Sequence, residues 1–97
     1  MSVSVVLEVQ AKPECIDELN LTLIKILPDT RSFDGCLGVN VTVNQDDPLN
    51  IVIFETWESR QHYETYLAWR SDTGALLALG KLLSQEPSIR YFDDLAI

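Results

Sequence analysis

The chain has 97 residues, with 7 Lys and Arg against 15 Asp and Glu, a net charge of −8 and 46% hydrophobic residues. This length makes a single domain over residues 1–97, able to bury only about 60–65% of its unfolded surface. The apolar content excludes wholesale disorder, and the acidic balance disfavours nucleic acid and anionic membrane surfaces as partners.

No apolar run approaches the ~20 residues needed to span a bilayer. Met1–Gln10 carries neither a basic stretch nor a small-residue cleavage site, so no secretory signal is expected. Cys15 and Cys36 stand in neither a CxxC nor a zinc spacing, and two free thiols in a reduced cytoplasmic setting are the natural reading.

Val3–Gln10 is almost continuously apolar and β-branched, which predicts an interior strand. Pro13 suits the first position of a helix, and Glu14 and Asp17 complement its dipole. Ile16, Leu19, Leu23 and Ile26 or Leu27 recur at helical spacing, so one stripe faces a core. Pro28 biases Leu27 away from helical angles and is expected to end the helix, leaving Asp29–Gly35 as a loop. From Leu37 to Asn44, valines and leucine alternate with Gly38, Asn40, Thr42 and Asn44, the period of a strand. Gln45–Asn50 is rich in turn formers and should join this strand to the next in an antiparallel hairpin.

Ile51–Phe54 is short, apolar and β-branched, and reads as a strand buried on both faces. Ser59 is a good helix N-cap, although His62 three positions on leaves the reciprocal capping box incomplete. The following helix carries His62, Tyr63, Tyr66, Trp69 and Arg70. Ser71–Gly74 breaks it, Ala75–Leu83 predicts a short apolar helix weakened by Gly80, and Ser88–Leu95 supplies a last strand through Ile89–Phe92.

The order β-α-β-β-α-(α)-β favours an α+β, ferredoxin-like fold with a four-stranded antiparallel sheet. The first and third strands lie centrally and the helices cover one face. The uncovered sheet face would be apolar over several hundred Å2, which predicts a homodimer formed through the sheets.

The residues now resemble a known family. Thr30-Arg31, Gly35-Cys36-Leu37, Glu55-Thr56-Trp57-Glu58-Ser59, Tyr66-Leu67-Ala68-Trp69-Arg70 and Ile89–Phe92 follow the order and spacing of the antibiotic biosynthesis monooxygenase family, in the dimeric α+β barrel superfamily. The resemblance spans roughly residues 3 to 95. It implies a homodimer whose two sheets close into a barrel, with a pocket between helices and sheet in each subunit. It also implies oxygenation of quinol- or anthrone-like aromatics by O2, with no metal or organic cofactor. The haem-degrading branch of the superfamily places an axial His about ten residues beyond a helix Trp, and here that position is Leu79.

After the Ser59 cap, His62, Tyr66, Trp69 and Arg70 fall along one broad helix face. As a pocket wall, Tyr66 and Trp69 would grip a flat aromatic, while Arg70 or His62 would stabilise a phenolate or enolate, lowering its pKa. The plainer reading makes Tyr63, Tyr66, Leu67 and Trp69 core and interface aromatics with wet tips. A lone His is more often structural than catalytic, and no second His or Cys stands at metal-ligand spacing, so no metal is assigned. Asn40, on the polar phase of its strand, is a candidate substrate contact. Glu55 needs a partner if it is buried, with Arg31 a candidate, and Trp57 is expected to serve the fold. Three functions share this scaffold: an oxygenase, a non-catalytic ligand-binding or accessory dimer, and a non-oxidative cyclase or isomerase.

Overall fold

The computed structural model describes residues 2–97. Strand β1 (Val3–Gln10) leads through a 3-10 turn at Pro13–Cys15 into helix α1 (Ile16–Ser32), followed by β2 (Cys36–Asn44) and β3 (Asp47–Trp57). Helices α2 (Arg60–Asp72) and α3 (Ala75–Gly80) precede β4 (Ser88–Phe92). The four strands form one antiparallel sheet in the order β2-β3-β1-β4, so the two greasiest strands are central, and the helices pack on one face. The fold is α+β and ferredoxin-like, as the element order predicts. Among the described residues, no helix is long and apolar enough to cross a membrane.

Period-two alternation sorts the sheet. Val3, Val5 and Val9 of β1 and Ile51, Ile53, Glu55 and Trp57 of β3 are buried beneath the helices. One part of the core joins Val9, Ile51 and Ile53 to Leu19, Leu23 and Leu27 of α1. The other gathers Val3, Val5 and Trp57 under Tyr63 and Tyr66 of α2. The alternate residues, including Val6, Asn40, Val52, Phe54 and Arg90, lie on the open face, paired laterally as Val6 with Phe54 and Asn40 with Phe54.

Three boundaries differ from expectation. Helix α1 runs on through Pro28 to Ser32 instead of stopping at Leu27. Pro28 deprives the Ile24 carbonyl of its N–H partner, but Ile24 is on the solvent side, where water can serve that carbonyl. The extra turn is anchored from α2, because Arg70 Nη2 donates to the Ile26 carbonyl at 2.7 Å. The hairpin is also tighter than its turn-forming residues suggest, since β3 begins at Asp47 and absorbs Pro48–Asn50. Side chains stabilise the shortened turn: Asp46 N–H donates to Asn44 Oδ1, and Leu49 N–H to Asp47 Oδ1. Helix α3 stops at Gly80, short of Leu83, which bridges to Ala11 beside β1.

Candidate functional site

The helix layer does not fill the space above the sheet. A cavity of about 300 Å3 lies between β1, β3 and β4 below and α1, α2 and α3 above. Its floor is Leu7, Val9, Ile53 and Ile89, and its walls include Leu19, Leu23, Leu67, Leu76, Leu79, Leu83 and Pro87. Tyr63 is the single lining residue with a polar side chain. A space of this size without charged walls favours an apolar ligand, and one hydroxyl can orient it.

Local sequence explains the position of Tyr63. The Ser59 hydroxyl accepts from His62 N–H at 3.1 Å and starts α2 there. From that start, Tyr63, Tyr66 and Arg70 recur at i, i+3 and i+7 and turn inward. Tyr63 is 1% exposed and packs edge-on against Trp57 and Tyr91. Burial, with the Glu55 carboxylate and the other two tyrosines adding to it, drives its phenol well above the usual range. A phenol held neutral in this way can donate a hydrogen bond but is a poor source of phenolate base.

The residues singled out from the sequence scatter around this cavity, and none of the five lines it. Arg70, 5% exposed, donates through Nε to Tyr66 Oη at 2.9 Å and through Nη2 to Thr30 Oγ1 at 3.0 Å. Thr30 and Tyr66 share a further hydrogen bond of 2.6 Å. These bonds lock α2 to the last turn of α1. Trp69 is 37% exposed, stacked between the Arg70 guanidinium and Phe33. His62 sits at the surface, its Nδ1 hydrogen-bonded to Ser59 Oγ at 2.6 Å and its Nε2 3.5 Å from Glu58. Asn40 lies on the open side of the sheet, with the sheet itself between it and the cavity. The structure thus joins Tyr66, Arg70 and Trp69 in one cluster and leaves His62 and Asn40 apart.

Glu55 does find a partner, but not Arg31. The Trp57 indole N–H donates to its Oε1 at 3.0 Å, because residues two apart on a strand share a face. Arg31 instead reaches the Val39 carbonyl at 3.4 Å. Burial raises the Glu55 carboxyl above its ordinary range, and the indole bond partly opposes that rise. Trp57 is fully buried, as its fold role requires. Both cysteines are free and half-buried, and burial also pushes the Cys36 thiol up, away from reactivity.

The wider comparison agrees with this architecture. An antibiotic biosynthesis monooxygenase of 24% identity superposes with a TM-score of 0.87, over 96% of this chain and 98% of its own. A Deinococcus radiodurans protein carrying the same family name is 28% identical, with a TM-score of 0.83 over 100% of this chain and 95% of its own. SnoaB, a cofactor-independent oxygenase from Streptomyces nogalater, shares the fold at 14% identity and a TM-score of 0.81, covering 96% and 92%. No curated protein matches the chain. The family model for antibiotic biosynthesis monooxygenase matches residues 2–71, from β1 to the end of α2. The chain belongs to the antibiotic biosynthesis monooxygenase family.

Proposed function

We propose that the protein is a cofactor-independent monooxygenase that oxidises a hydrophobic, quinol- or anthrone-like aromatic with O2 inside the apolar cavity. The observation that carries this reading is a cavity in which Tyr63 is the one polar residue among otherwise apolar walls, in a chain of this family. In such a reaction a ring CH2 becomes C=O; the second oxygen atom leaves as water with the two hydrogens. The substrate supplies the electrons once it is enolised. Tyr63 would donate to the oxygen on which that charge builds, and apolar walls strengthen such a bond by excluding water. In this reading Arg70, His62, Tyr66, Trp69 and Asn40, which do not line the cavity, would not touch the reacting atoms. Tyr66, Trp69 and Arg70 pack together, the His62 N–H meets the Ser59 cap, and Asn40 lies on the open sheet face.

The working form is a homodimer joined through the open sheet faces. Val6, Val52 and Phe54 put an apolar centre on that face, and Phe54 is 48% exposed. Phe54→Asp is expected to convert the dimer to monomers in sedimentation velocity. A cytoplasmic location suits the two free thiols.

The test is oxygen uptake by metal-free protein with anthrones and naphthoquinols, beside Tyr63→Phe and Leu79→Trp. Uptake above autoxidation, reduced about 100-fold in kcat by Tyr63→Phe and abolished by filling the cavity with Leu79→Trp, supports the reading. A second reading, a non-catalytic binding dimer, is favoured by the lack of any charged lining side chain. Quenching of Trp fluorescence by the same aromatics without oxygen uptake would select it.

A further inference from the structure

On the surface, on the other side of α2 from the cavity, the turn after α1 meets the stretch that leads from β3 into α2. Asp34 from the turn after α1, Glu58 from the exit of β3 and His62 from the first turn of α2 bring one ligand atom each within 4.8 Å of one another. The backbone holds them there. Gly35 adopts φ +90°, and a Cβ on it would lie 2.5 Å from the His62 ring, so the turn can rest on the imidazole only with glycine at this place. Glu58 N–H donates to the Gly35 carbonyl at 2.8 Å, tying the Asp34 turn to the strand exit.

The side-chain chemistry is that of a cation site. His62 has Nδ1 engaged by Ser59 Oγ at 2.6 Å, the arrangement that fixes a metal-bound imidazole, and its Nε2 faces the carboxylates. Among the described residues, Asp34 takes part in no ion pair, and Glu58 meets only His62. Of the arginines adjacent in sequence, Arg60 is committed to Glu64 and the Tyr91 ring, and Arg31 reaches the Val39 carbonyl. Among the described residues, neither carboxylate is ion-paired to lysine or arginine, in a chain of net charge −8. An open depression bounded by Asp34, His62, Phe33, Gln61 and Thr65 leaves room for water or a small ligand on an ion.

We propose that Asp34, Glu58 and His62 form a surface site for a divalent transition-metal ion of the zinc class, stapling the turn after α1 to the start of α2. One imidazole and two carboxylates with no thiolate suit zinc, cobalt or nickel, with water completing the shell. The site is independent of the oxygenase reading, since it shares no residue with the cavity.

His62 is the only histidine, so its ring signals in a 1H–15N spectrum report this site alone. Zinc chloride should shift them at one equivalent and raise Tm by mass action. Asp34→Asn and Glu58→Gln should each weaken zinc binding at least tenfold, while Cys15→Ser should leave it unchanged. Unmoved His62 signals, or equal affinity in the two carboxylate variants, would overturn the site. These side chains are at least part-exposed, and circular dichroism of each variant checks that the fold persists.

Discussion

Tyr63 and Tyr66 stand three residues apart on one helix, both are buried, and they do opposite things. Tyr66 ends in a closed polar knot, with Arg70 donating to its oxygen and Thr30 sharing a 2.6 Å bond. Tyr63 lines an apolar cavity, where it is the one polar residue. Burial therefore does not distinguish a site from a strut. What distinguishes them is whether the protein itself satisfies the polar tip. A satisfied network specifies packing, while a polar group bordering open apolar space is available to a ligand.

Breaking the knot should cost most. Arg70→Ala removes three hydrogen bonds from a buried cation and is expected to lower stability by about 3–4 kcal/mol. Urea unfolding measures this, and Arg70→Lys should recover little, since an ammonium cannot span Tyr66, Thr30 and Ile26 together. Tyr66→Phe leaves Arg70 Nε without its acceptor and should cost about 1–3 kcal/mol by the same measurement.

Glu55 provides a smaller, pH-dependent contrast beneath both tyrosines. Its carboxyl is raised from an ordinary value of 4.5 in the folded protein, so the folded state holds that proton more tightly than the unfolded chain. The stabilising contribution is complete below pH 4.5 and is lost as pH rises through the folded value. Glu55→Gln keeps an oxygen for the Trp57 indole and should flatten stability across that window, read as the urea midpoint against pH. The smallest change in stability belongs to Tyr63→Phe, about 0.5 kcal/mol or less, because no bond within the knot involves it. Its effect should appear in turnover instead. A large loss of stability there would erase the distinction between the two tyrosines.

Much of the fold was legible in the residues because its signals are local. β1 is read to the residue from its β-branched run, and Ser59 marks the start of α2 through its own hydroxyl. The helix through Pro28 was not legible, since what holds its last turn is Arg70, more than 40 positions away. The cavity was invisible for a related reason. It is space left between elements, and Leu7, Leu23, Leu67 and Leu79 are indistinguishable in sequence from leucines that fill a core. Tyr63 had one usable signal: with Tyr66 and Arg70 it forms the i, i+3, i+7 stripe that turns inward. The stripe through His62, Tyr66 and Trp69 is rotated towards solvent at both ends.

The walls of the cavity do not all come from the stretch that defines the family. Leu76, Leu79, Gly80, Leu83, Pro87 and Ile89 lie beyond residue 71, where the family match stops. The phenol belongs to the shared part, and much of the shape presented to a ligand belongs to the remainder. On the proposed reading, chemistry and selectivity would then be encoded in separate lengths of chain. Exchanging residues 75–89 between relatives would then be expected to alter ligand preference while leaving Tyr63 and its supporting aromatics in place.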